Sequence, residues 1–368
     1  MKNPAFQPGL LLLEDGTVFE AEAVSAGTRF GEVVFNTSMT GYQEVLTDPS
    51  YRGQIVVMTQ PHIGNYGTTA EVAESLRPWV EGFIARQFTV RPSGASPGES
   101  LVTYLRRHGV PALQGLDTRA LVRRLRERGA LRGVITTERT ESSDIAGLTA
   151  ELADFPTMAG RALVDEVTCA APWEMPAVGE ERQHLAVYDF GVKTNILRSL
   201  SRRGARLTVL PARTPASAVK ALGVDGVVLS NGPGDPEPLT EIIGNVRELL
   251  ATDLPIFGIC LGHQLLGLAF GGRTFKLKFG HHGGNQPVRD LPTGKVAITS
   301  QNHGFAVDPA SLPAFCRVTQ VNLNDGTVEG FAAEGRPVYS VQYHPEAAPG
   351  PHEAAVLFDR FLDAATRR

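Results

Sequence analysis

The sequence predicts an α/β protein in which a mixed α/β domain at the N-terminus is followed by a doubly wound, mostly parallel sheet. The chain has 368 residues, which is long for one domain. From residue 185 onwards apolar strands alternate with helices, as in a parallel sheet covered on both faces, whereas the first half lacks that alternation. We therefore assign residues 1–168 to the N-terminal domain, 169–184 to a linker rich in Ala, Pro and Glu, and 185–368 to the second domain.

The composition indicates which classes of protein this chain can belong to. Hydrophobic residues make up 42% of the chain and charged residues 20%, which is typical of a globular protein. The formal net charge of −4 offers no electrostatic basis for binding nucleic acid or an anionic membrane. Three cysteines are too few for a disulfide framework and favour a reducing compartment. Since no signal peptide or membrane-spanning run is recognisable, we expect a cytoplasmic protein.

The first domain is predicted to begin with a hairpin at 10–20, around the turn Asp15-Gly16. A turn rich in Pro, Asp and Gly is predicted at 47–53; Ser50 within it could hold a ligand, although a plain turn is the commoner case. Further strands are predicted at 32–37, 54–58 and 132–136, and helices at 99–107 and 117–128. The second helix carries five arginines, usually a solvated face and alternatively a partner surface: Arg119, Arg123, Arg124, Arg126 and Arg128.

In the second domain the residue pattern alternates as a parallel sheet requires. Strands are predicted at 185–189, 206–210, 225–230, 255–259, 295–299 and 338–342. Helices are predicted at 195–203, 215–222, 239–252 and 353–365, and another begins near 265 and ends before Gly271. Residues 278–287 are predicted to form a loop. Ligands bind such sheets beyond the carboxyl ends of the strands, and Cys260 stands at one of these ends.

The motif Gly258-Ile259-Cys260-Leu261-Gly262 is the cysteine counterpart of a nucleophile elbow. The flanking glycines allow a sharp strand-to-helix turn that strains the central residue. The sulfur then lies at a helix N-terminus, where the dipole and free N–H groups favour the reactive thiolate, and the Leu261 N–H points to where an oxyanion would form. The alternative is a small buried cysteine in a glycine-flanked turn.

A base and an orienting acid for this thiolate are predicted in His344-Pro345-Glu346. Proline keeps His344 extended, so the side chains of residues 344 and 346 face the same way. Two other histidines are weaker candidates for the base: His263, which is expected to serve packing or loop bonding, and His303, which is expected to belong to a substrate wall. Adjacent histidines at 281 and 282 lack partners at ligand spacing, so no metal site is predicted.

A glycine-rich loop, residues 230–235, ends another strand. It is not a dinucleotide fingerprint, because Glu237 stands where the third glycine should be. We interpret it as a backbone loop that offers the Gly234 N–H as a second oxyanion donor opposite Leu261. The chain also lacks a P-loop or another recognisable phosphate-binding motif, so ATP chemistry is expected to lie outside it.

These motifs together resemble the class I (triad) glutamine amidotransferases. Residues 35–44, 47–51, 278–285 and 301–307 also resemble the small subunits of carbamoyl phosphate synthetases, and the likeness covers essentially the whole chain. The resemblance implies that Cys260 attacks the glutamine side-chain amide to form a thioester, that His344 shuttles protons and that Glu346 orients His344. It also implies a glutamine-binding set: Ser50, Gly232, Gly234, Leu261, Gln264, Asn302, Gly304 and Phe305. One departure is Tyr343, where the family commonly has glycine; it is expected to narrow the pocket edge and to leave the triad untouched.

The same resemblance implies a partner. ATP and Mg would act in a large synthetase subunit that receives ammonia through a tunnel, in a heterodimer or a higher oligomer serving arginine and pyrimidine biosynthesis, with no cofactor in this chain. Three alternatives stay open at this point: an amidotransferase subunit for another acceptor, a thiol hydrolase or peptidase on a related fold, and a catalytically silent scaffold.

Overall fold

A computed structural model describes residues 7–93 and 98–366 of the chain. The chain divides into two compact units: one comprises residues up to Met158 together with Lys278–His282, and the other Ala159–Leu277 together with the residues from Gly283 onwards. In the described ranges no helix combines the length and the apolar character needed to cross a membrane.

The first unit is built on a closed β-barrel. Its strands are β1 (Gln7–Leu13), β2 (Val18–Ser25), β3 (Thr28–Asn36), β4 (Gln54–Met58), β5 (His62–Ile63), β6 (Gly82–Ile84), β7 (Gln87–Phe88), β8 (Ala112–Gln114) and β9 (Leu131–Thr136). The barrel order is β1-β2-β8-β6-β4-β3-β9, and β5 pairs with β7. The predicted hairpin at 10–20 is confirmed, since β1 and β2 are antiparallel and Gly16 takes a positive φ of 83° in the turn.

Four helices accompany the barrel strands in the described part of this unit: α1 (Tyr42–Thr47), α2 (Leu101–Arg107), α3 (Thr118–Arg128) and α4 (Asp144–Asp154). The two predicted helices correspond to α2 and α3, and each of them begins after a residue whose side chain caps the helix. Ser100 caps α2 by accepting a hydrogen bond from the Thr103 N–H, and Asp117 caps α3 by accepting one from the Ala120 N–H. The buried Leu121 and Leu125, four residues apart, join α3 to the barrel core.

The second unit is built on a ten-stranded sheet. Its strands are β10 (Trp173–Met175), β11 (Gln183–Asp189), β12 (Ala205–Pro211), β13 (Gly226–Leu229), β14 (Ile256–Ile259), β15 (Thr274–Asp290), β16 (Val296–Val307), β17 (Cys316–Asn322), β18 (Val328–Ala333) and β19 (Val338–Val341). In the order β10-β12-β11-β13-β14-β19-β18-β17-β15-β16, the five neighbours from β12 to β19 are parallel. The strand pairs β19 with β18, β18 with β17, and β17 with β15 are antiparallel. The predicted doubly wound, mostly parallel sheet is thus confirmed in its central strands.

Helices connect the parallel strands and cover both faces: α5 (Thr194–Ser201), α6 (Ala216–Ala221), α7 (Thr240–Leu250), α8 (Leu261–Ala269) and α9 (Val356–Thr366). Alternate residues of β11 pack in different apolar clusters. Ala186 and Tyr188 belong to one buried cluster, and Leu185 and Val187 belong to the other. Burial on both faces explains why these strands are continuously apolar. Because these strands are parallel, their carboxyl ends, and therefore Cys260, lie at one edge of the sheet.

Two segments differ from the sequence-based expectation. Residues 278–287, predicted as a loop, lie within the 17-residue strand β15. Glycine and polar residues weaken the local strand signal there, but hydrogen bonding of β15 to its neighbours β16 and β17 in the sheet decides the conformation. Residues 169–184, predicted as a linker, lie in the second unit, where Trp173–Met175 pairs antiparallel with β12 as an edge strand. Three residues of strand are too short to show the alternating pattern of a strand.

Candidate active site

Cys260 lies between β14 and α8 in a strained conformation, with φ 52° and ψ −102°. The glycines beside it are required by close backbone contacts. A Cβ on Gly258 would lie 2.7 Å from the Gly262 carbonyl oxygen, and a Cβ on Gly262 would lie 2.1 Å from the Leu229 carbonyl oxygen. No residue with a Cβ fits at either position without moving the backbone. The predicted elbow geometry is therefore present.

The helix that follows Cys260 begins with a backbone N–H that the helix itself does not use. Leu261 is the first residue of α8, so its N–H has no acceptor within the helix. The next N–H, of Gly262, donates to the Ser230 carbonyl oxygen at 3.0 Å, and the Gln264 N–H donates to the Cys260 carbonyl oxygen at 3.2 Å. The first of these bonds holds the first turn of α8 against the end of β13, and the second closes that turn on Cys260.

His344 and Glu346 form the predicted pair. The Nδ1 of His344 lies 2.7 Å from the Oε1 of Glu346, and both side chains are buried. With Nδ1–H donated to the carboxylate, the lone pair of the imidazole is on Nε2. Among the described residues Nε2 has no hydrogen-bond partner. The ring is therefore oriented on one side and available as a base on the other.

Strand pairing brings the cysteine and the histidine to one edge of the second unit. Ile259 pairs with Val341, and the Cys260 N–H donates to the Val341 carbonyl oxygen at 2.9 Å. Strand β16 then contacts both segments: the Asn302 carbonyl oxygen lies 3.5 Å from Cys260 Sγ, and the Ser300 carbonyl oxygen accepts the His344 N–H at 2.8 Å. Two residues of a strand span about 7 Å. Residues far apart in sequence thus meet over one short stretch of β16.

Lys193, which belongs to none of the sequence motifs, is buried beside Glu346. Its Nζ lies 2.9 Å from the Oε1 of Glu346 and donates to the Ala347 carbonyl oxygen at 2.7 Å. Burial favours a raised pKa for Glu346, but the positive charge of Lys193 and the contact with His344 outweigh it and lower the pKa to about 2. Glu346 is therefore ionised at neutral pH. The available signal was a lysine just beyond the carboxyl end of a parallel strand, β11.

We expect the buried pair to be coupled in stability. Glu346→Gln leaves the Lys193 charge without a counter-charge and should lower the free energy of unfolding by about 3 kcal/mol or more. The double variant Lys193→Met/Glu346→Gln should lose less than the sum of the two single variants, as measured by denaturant unfolding. The partly exposed pair Arg203–Asp359, at 2.7 Å, is the matched control, and Asp359→Asn should cost at most about 1 kcal/mol. Additive single losses at the buried pair would contradict the coupling.

The Glu346 carboxyl also makes the free energy of unfolding depend on pH. Because its folded pKa of about 2 lies below the ordinary value of 4.5, its contribution is present above pH 4.5 and is lost as the pH falls toward 2. Glu346→Gln should therefore show a smaller decline in unfolding free energy across that window than the natural chain does.

The glycine-rich loop packs against the elbow. A Cβ on Gly232 would lie 2.2 Å from the Phe190 carbonyl oxygen and 2.7 Å from Leu261 Cδ2. Gly234 has a positive φ of 86°, and a Cβ there would lie 2.6 Å from the Arg161 carbonyl oxygen. Close approach of backbone therefore requires glycine at both positions. The use of the Gly234 N–H as an oxyanion donor stays a prediction.

Four of the residues predicted to bind glutamine lie around Cys260 in the second unit: Leu261 follows it, Asn302 contacts its sulfur, and Gln264 contacts Phe305. The Nε2 of Gln264 donates to the Phe305 carbonyl oxygen at 2.9 Å and to the Oε1 of Gln342 at 3.1 Å. Since both partners are acceptors, the amide orientation is determined and Oε1 is left to accept from a ligand. Gly304 lies in β16 between Asn302 and Phe305.

Ser50 and Tyr343 are both buried. Ser50 is buried in a 3₁₀ turn of the first unit, Pro49–Tyr51, and its N–H donates to the Oδ1 of Asp48 at 2.9 Å. Tyr343 packs in one of the two apolar clusters of the second unit, and burial raises its pKa. The roles predicted for both residues stay predictions.

The two rival histidines are engaged elsewhere. The Nδ1 of His263 lies 2.8 Å from Ser340 Oγ, its ring packs on Phe331, and burial lowers its pKa to about 3. Such a neutral, packed ring agrees with the packing and loop-bonding role expected of it. In His303 both ring nitrogens are bonded, Nδ1 to the Phe305 carbonyl oxygen at 2.8 Å and Nε2 to the Oε1 of Gln301 at 2.6 Å. This leaves His344 as the better base.

Comparison with known proteins gives a consistent result over the whole chain. The family model for the carbamoyl-phosphate synthase small chain, CPSase domain, matches residues 11–135, and the model for glutamine amidotransferase class-I matches residues 186–364. Proteins named carbamoyl phosphate synthase small chain are similar throughout. That of Pseudomonas aeruginosa is 51% identical over 98% of this chain and 99% of its own length. Those of Syntrophotalea carbinolica and Escherichia coli are 52% and 50% identical, each over 96% of both chains.

Proposed function

This chain belongs to the carbamoyl phosphate synthase small-chain family, and we propose that Cys260, His344 and Glu346 are the triad that hydrolyses glutamine in its amidotransferase domain. The observation that carries the proposal is the 2.7 Å bond between His344 Nδ1 and Glu346, which leaves Nε2 without a partner among the described residues. The strained elbow presents Cys260 at the same sheet edge.

The chemistry proceeds in two stages. His344 Nε2 takes the thiol proton, and the Cys260 thiolate attacks the side-chain amide carbon of glutamine. The C–N bond then breaks as His344 returns the proton to the leaving nitrogen, which releases ammonia and leaves a thioester on the sulfur. In the second stage His344 accepts a proton from water as the oxygen attacks the thioester, and glutamate departs with the thiol restored. Glu346, ionised throughout, holds the ring and stabilises the imidazolium.

Both tetrahedral intermediates place negative charge on the former amide oxygen. We assign the Leu261 N–H and the Gly234 N–H as the donors to that oxygen. The first is supported by its place at the start of α8, and the second by the packing of the glycine-rich loop against Leu261. Losing one such donor typically costs about 10²–10³ in rate.

We assign substrate binding to the residues that the resemblance to the family implies: Ser50, Gly232, Gly234, Leu261, Gln264, Asn302, Gly304 and Phe305. Gln264 is supported by its determined amide orientation, which directs an acceptor oxygen toward a ligand. An ammonium or amide donor of free glutamine is the group that this acceptor would take.

Gln342 should act on substrate binding through Gln264. Gln342→Leu removes the acceptor that holds the Gln264 amide, so KM for glutamine should rise by about 2-fold to 10-fold while kcat changes little, because the lost bond is of ordinary strength. Steady-state glutaminase assays measure both constants. If Gln342 acts only through Gln264, Gln342→Leu should add nothing to a Gln264→Leu variant. An equal loss in kcat would place Gln342 in another role.

The partner is proposed to be a large synthetase subunit that uses ATP and Mg to make carbamoyl phosphate, with ammonia passed from this chain inside a heterodimer or a higher oligomer in the cytoplasm. The name small chain, shared by the relatives, supports a large partner. The match of residues 11–135 to the small-chain family model favours carbamoyl phosphate synthesis as the use of the ammonia, over the reactions served by other class I amidotransferases.

Co-expression tests the assignment. Glutamine-dependent carbamoyl phosphate synthesis should appear only when this chain is purified together with the large subunit of the same organism, whereas glutamine hydrolysis should be measurable for the chain itself. Formation of carbamoyl phosphate by the purified chain alone would disprove the proposal that the synthesis takes place in a separate large subunit. Turnover of peptides in preference to free glutamine would favour a thiol hydrolase.

A further inference from the structure

Helix α3 presents a row of three arginines. Arg119, Arg123 and Arg126 are spaced i, i+4 and i+7, which places them on one face of the helix, and all three are exposed. We call these three residues the arginine face. Their guanidinium groups follow the helix for about 10 Å.

The arginine face carries charge that the described residues do not neutralise. None of its three members forms an ion pair within residues 7–93 and 98–366. By contrast, other arginines of those ranges do, including Arg124 of the same helix, which lies 2.6 Å from Asp15. Like charges spaced three and four residues apart disfavour a helix. Acidic groups of a partner that face these arginines would relieve this repulsion between like charges.

The surface beside the arginine face is concave. A cleft of about 270 Å³ is lined by the three arginines together with Thr59, Thr118 and Val122. Thr118 is buried at the start of α3, and Thr59 directly follows β4. The cleft thus combines three guanidinium groups, two hydroxyl groups and one partly buried aliphatic side chain, and arginine is one of the residues enriched at protein–protein interfaces.

The geometry favours several carboxylates over one small anion. A single phosphate engages one guanidinium fork or two, whereas a row about 10 Å long matches carboxylates spread along a protein surface. Nucleic acid is disfavoured by the formal net charge of −4. Arginine is enriched at protein interfaces because its fork binds carboxylate in a bidentate manner.

We propose that the arginine face docks on an acidic patch of the large synthetase subunit. This inference rests on the proposed function for the existence of that subunit, but not on the triad. The three guanidinium groups would bind carboxylates of the partner, and Val122 would supply apolar contact in the same cleft.

The test is the affinity of the intact chain for the large subunit. The variant Arg119→Glu/Arg123→Glu/Arg126→Glu should raise Kd by roughly 10-fold to 100-fold at ~0.05 M salt, and the difference from the natural chain should shrink at ~0.5 M salt, where exposed charges are screened. Glutamine hydrolysis by the free variant should be unchanged. The neutral variant Arg119→Gln/Arg123→Gln/Arg126→Gln should show a smaller loss and keeps the test valid if charge reversal unfolds α3.

Arg128 supplies a matched control on the same helix. It is exposed and lies nine residues after Arg119, which places it on the opposite side of α3. Arg128→Glu makes the same change in charge and should alter Kd by less than about 2-fold.

Three results would overturn the proposal. The first is a triple charge-reversal variant that binds the large subunit with unchanged Kd and unchanged salt dependence. The second is calorimetric binding of inorganic phosphate that the variant loses while its affinity for the large subunit is kept, because the cleft would then be an anion site. The third is a natural chain that does not associate with the large subunit at all; that result would also remove the proposed partner, while the glutaminase assay would still report on the triad separately.

Discussion

Cys260→Ala is expected to abolish glutamine hydrolysis. Without the sulfur no thioester can form, and the rate should fall by more than about 10⁴-fold, since removal of a covalent nucleophile leaves only binding and oxyanion stabilisation. Synthesis of carbamoyl phosphate from added ammonia by the proposed complex with a large subunit should persist, because that reaction does not use the proposed triad. Parallel assays with glutamine and with ammonia as the nitrogen source measure the two rates.

The second unit contains its own control for this experiment. Cys169 is another free cysteine of that unit, half-buried, and burial raises the pKa of its thiol to about 12, so it is a poor nucleophile. Cys169→Ala should keep the glutaminase rate. A Cys260→Ala chain that still hydrolyses glutamine, or a loss of ammonia-dependent synthesis in that variant, would refute the assignment of the nucleophile.

His344→Gln should lower kcat for glutamine hydrolysis by about 10²–10⁴-fold, the range typical for loss of a general base. The amide side chain introduced at position 344 can still form a hydrogen bond with Glu346. It cannot shuttle a proton between the thiol, the leaving nitrogen and water. The pH profile of the residual rate should therefore differ from that of the natural chain. Steady-state rates across about pH 5–9 measure both effects.

His352 is the matched control for the histidine variant, since it is exposed and lies only eight residues further along the chain. His352→Gln should leave kcat and its pH profile unchanged. If His344→Gln retained the natural kcat and pH profile, the base would have to be sought elsewhere. The bonding of His263 and His303 gives neither of them a comparable geometry.

Much of the candidate site could be predicted from sequence because its requirements are local. Gly258 and Gly262 stand where a Cβ would collide with backbone, so the sequence itself specifies the sharp turn that strains Cys260. The His344–Glu346 bond follows from proline between two residues of an extended segment. The alternation of strands and helices after residue 185 likewise specified the parallel sheet, since residues buried on both faces must be apolar.

The parts that escaped prediction depend on residues distant in the chain. Strand β15 contains a stretch with the composition of a loop, and its conformation comes from pairing with strands formed later in the sequence. Closure of the first unit into a barrel joins β1 to β9, which are more than a hundred residues apart. Local propensity carries no information about such partners.

For this protein the sequence by itself determined the strained elbow, the histidine–carboxylate pair and the sheet that carries them, because each depends on sterics within a few residues. Only the tertiary structure decided that Lys193 neutralises Glu346 at 2.9 Å, that the strands of the first unit close into a barrel and that the arginine face stays without counter-charges among the described residues. The physical reason is that Coulomb interactions and strand pairing depend on distance in space, which separation along the chain does not reveal.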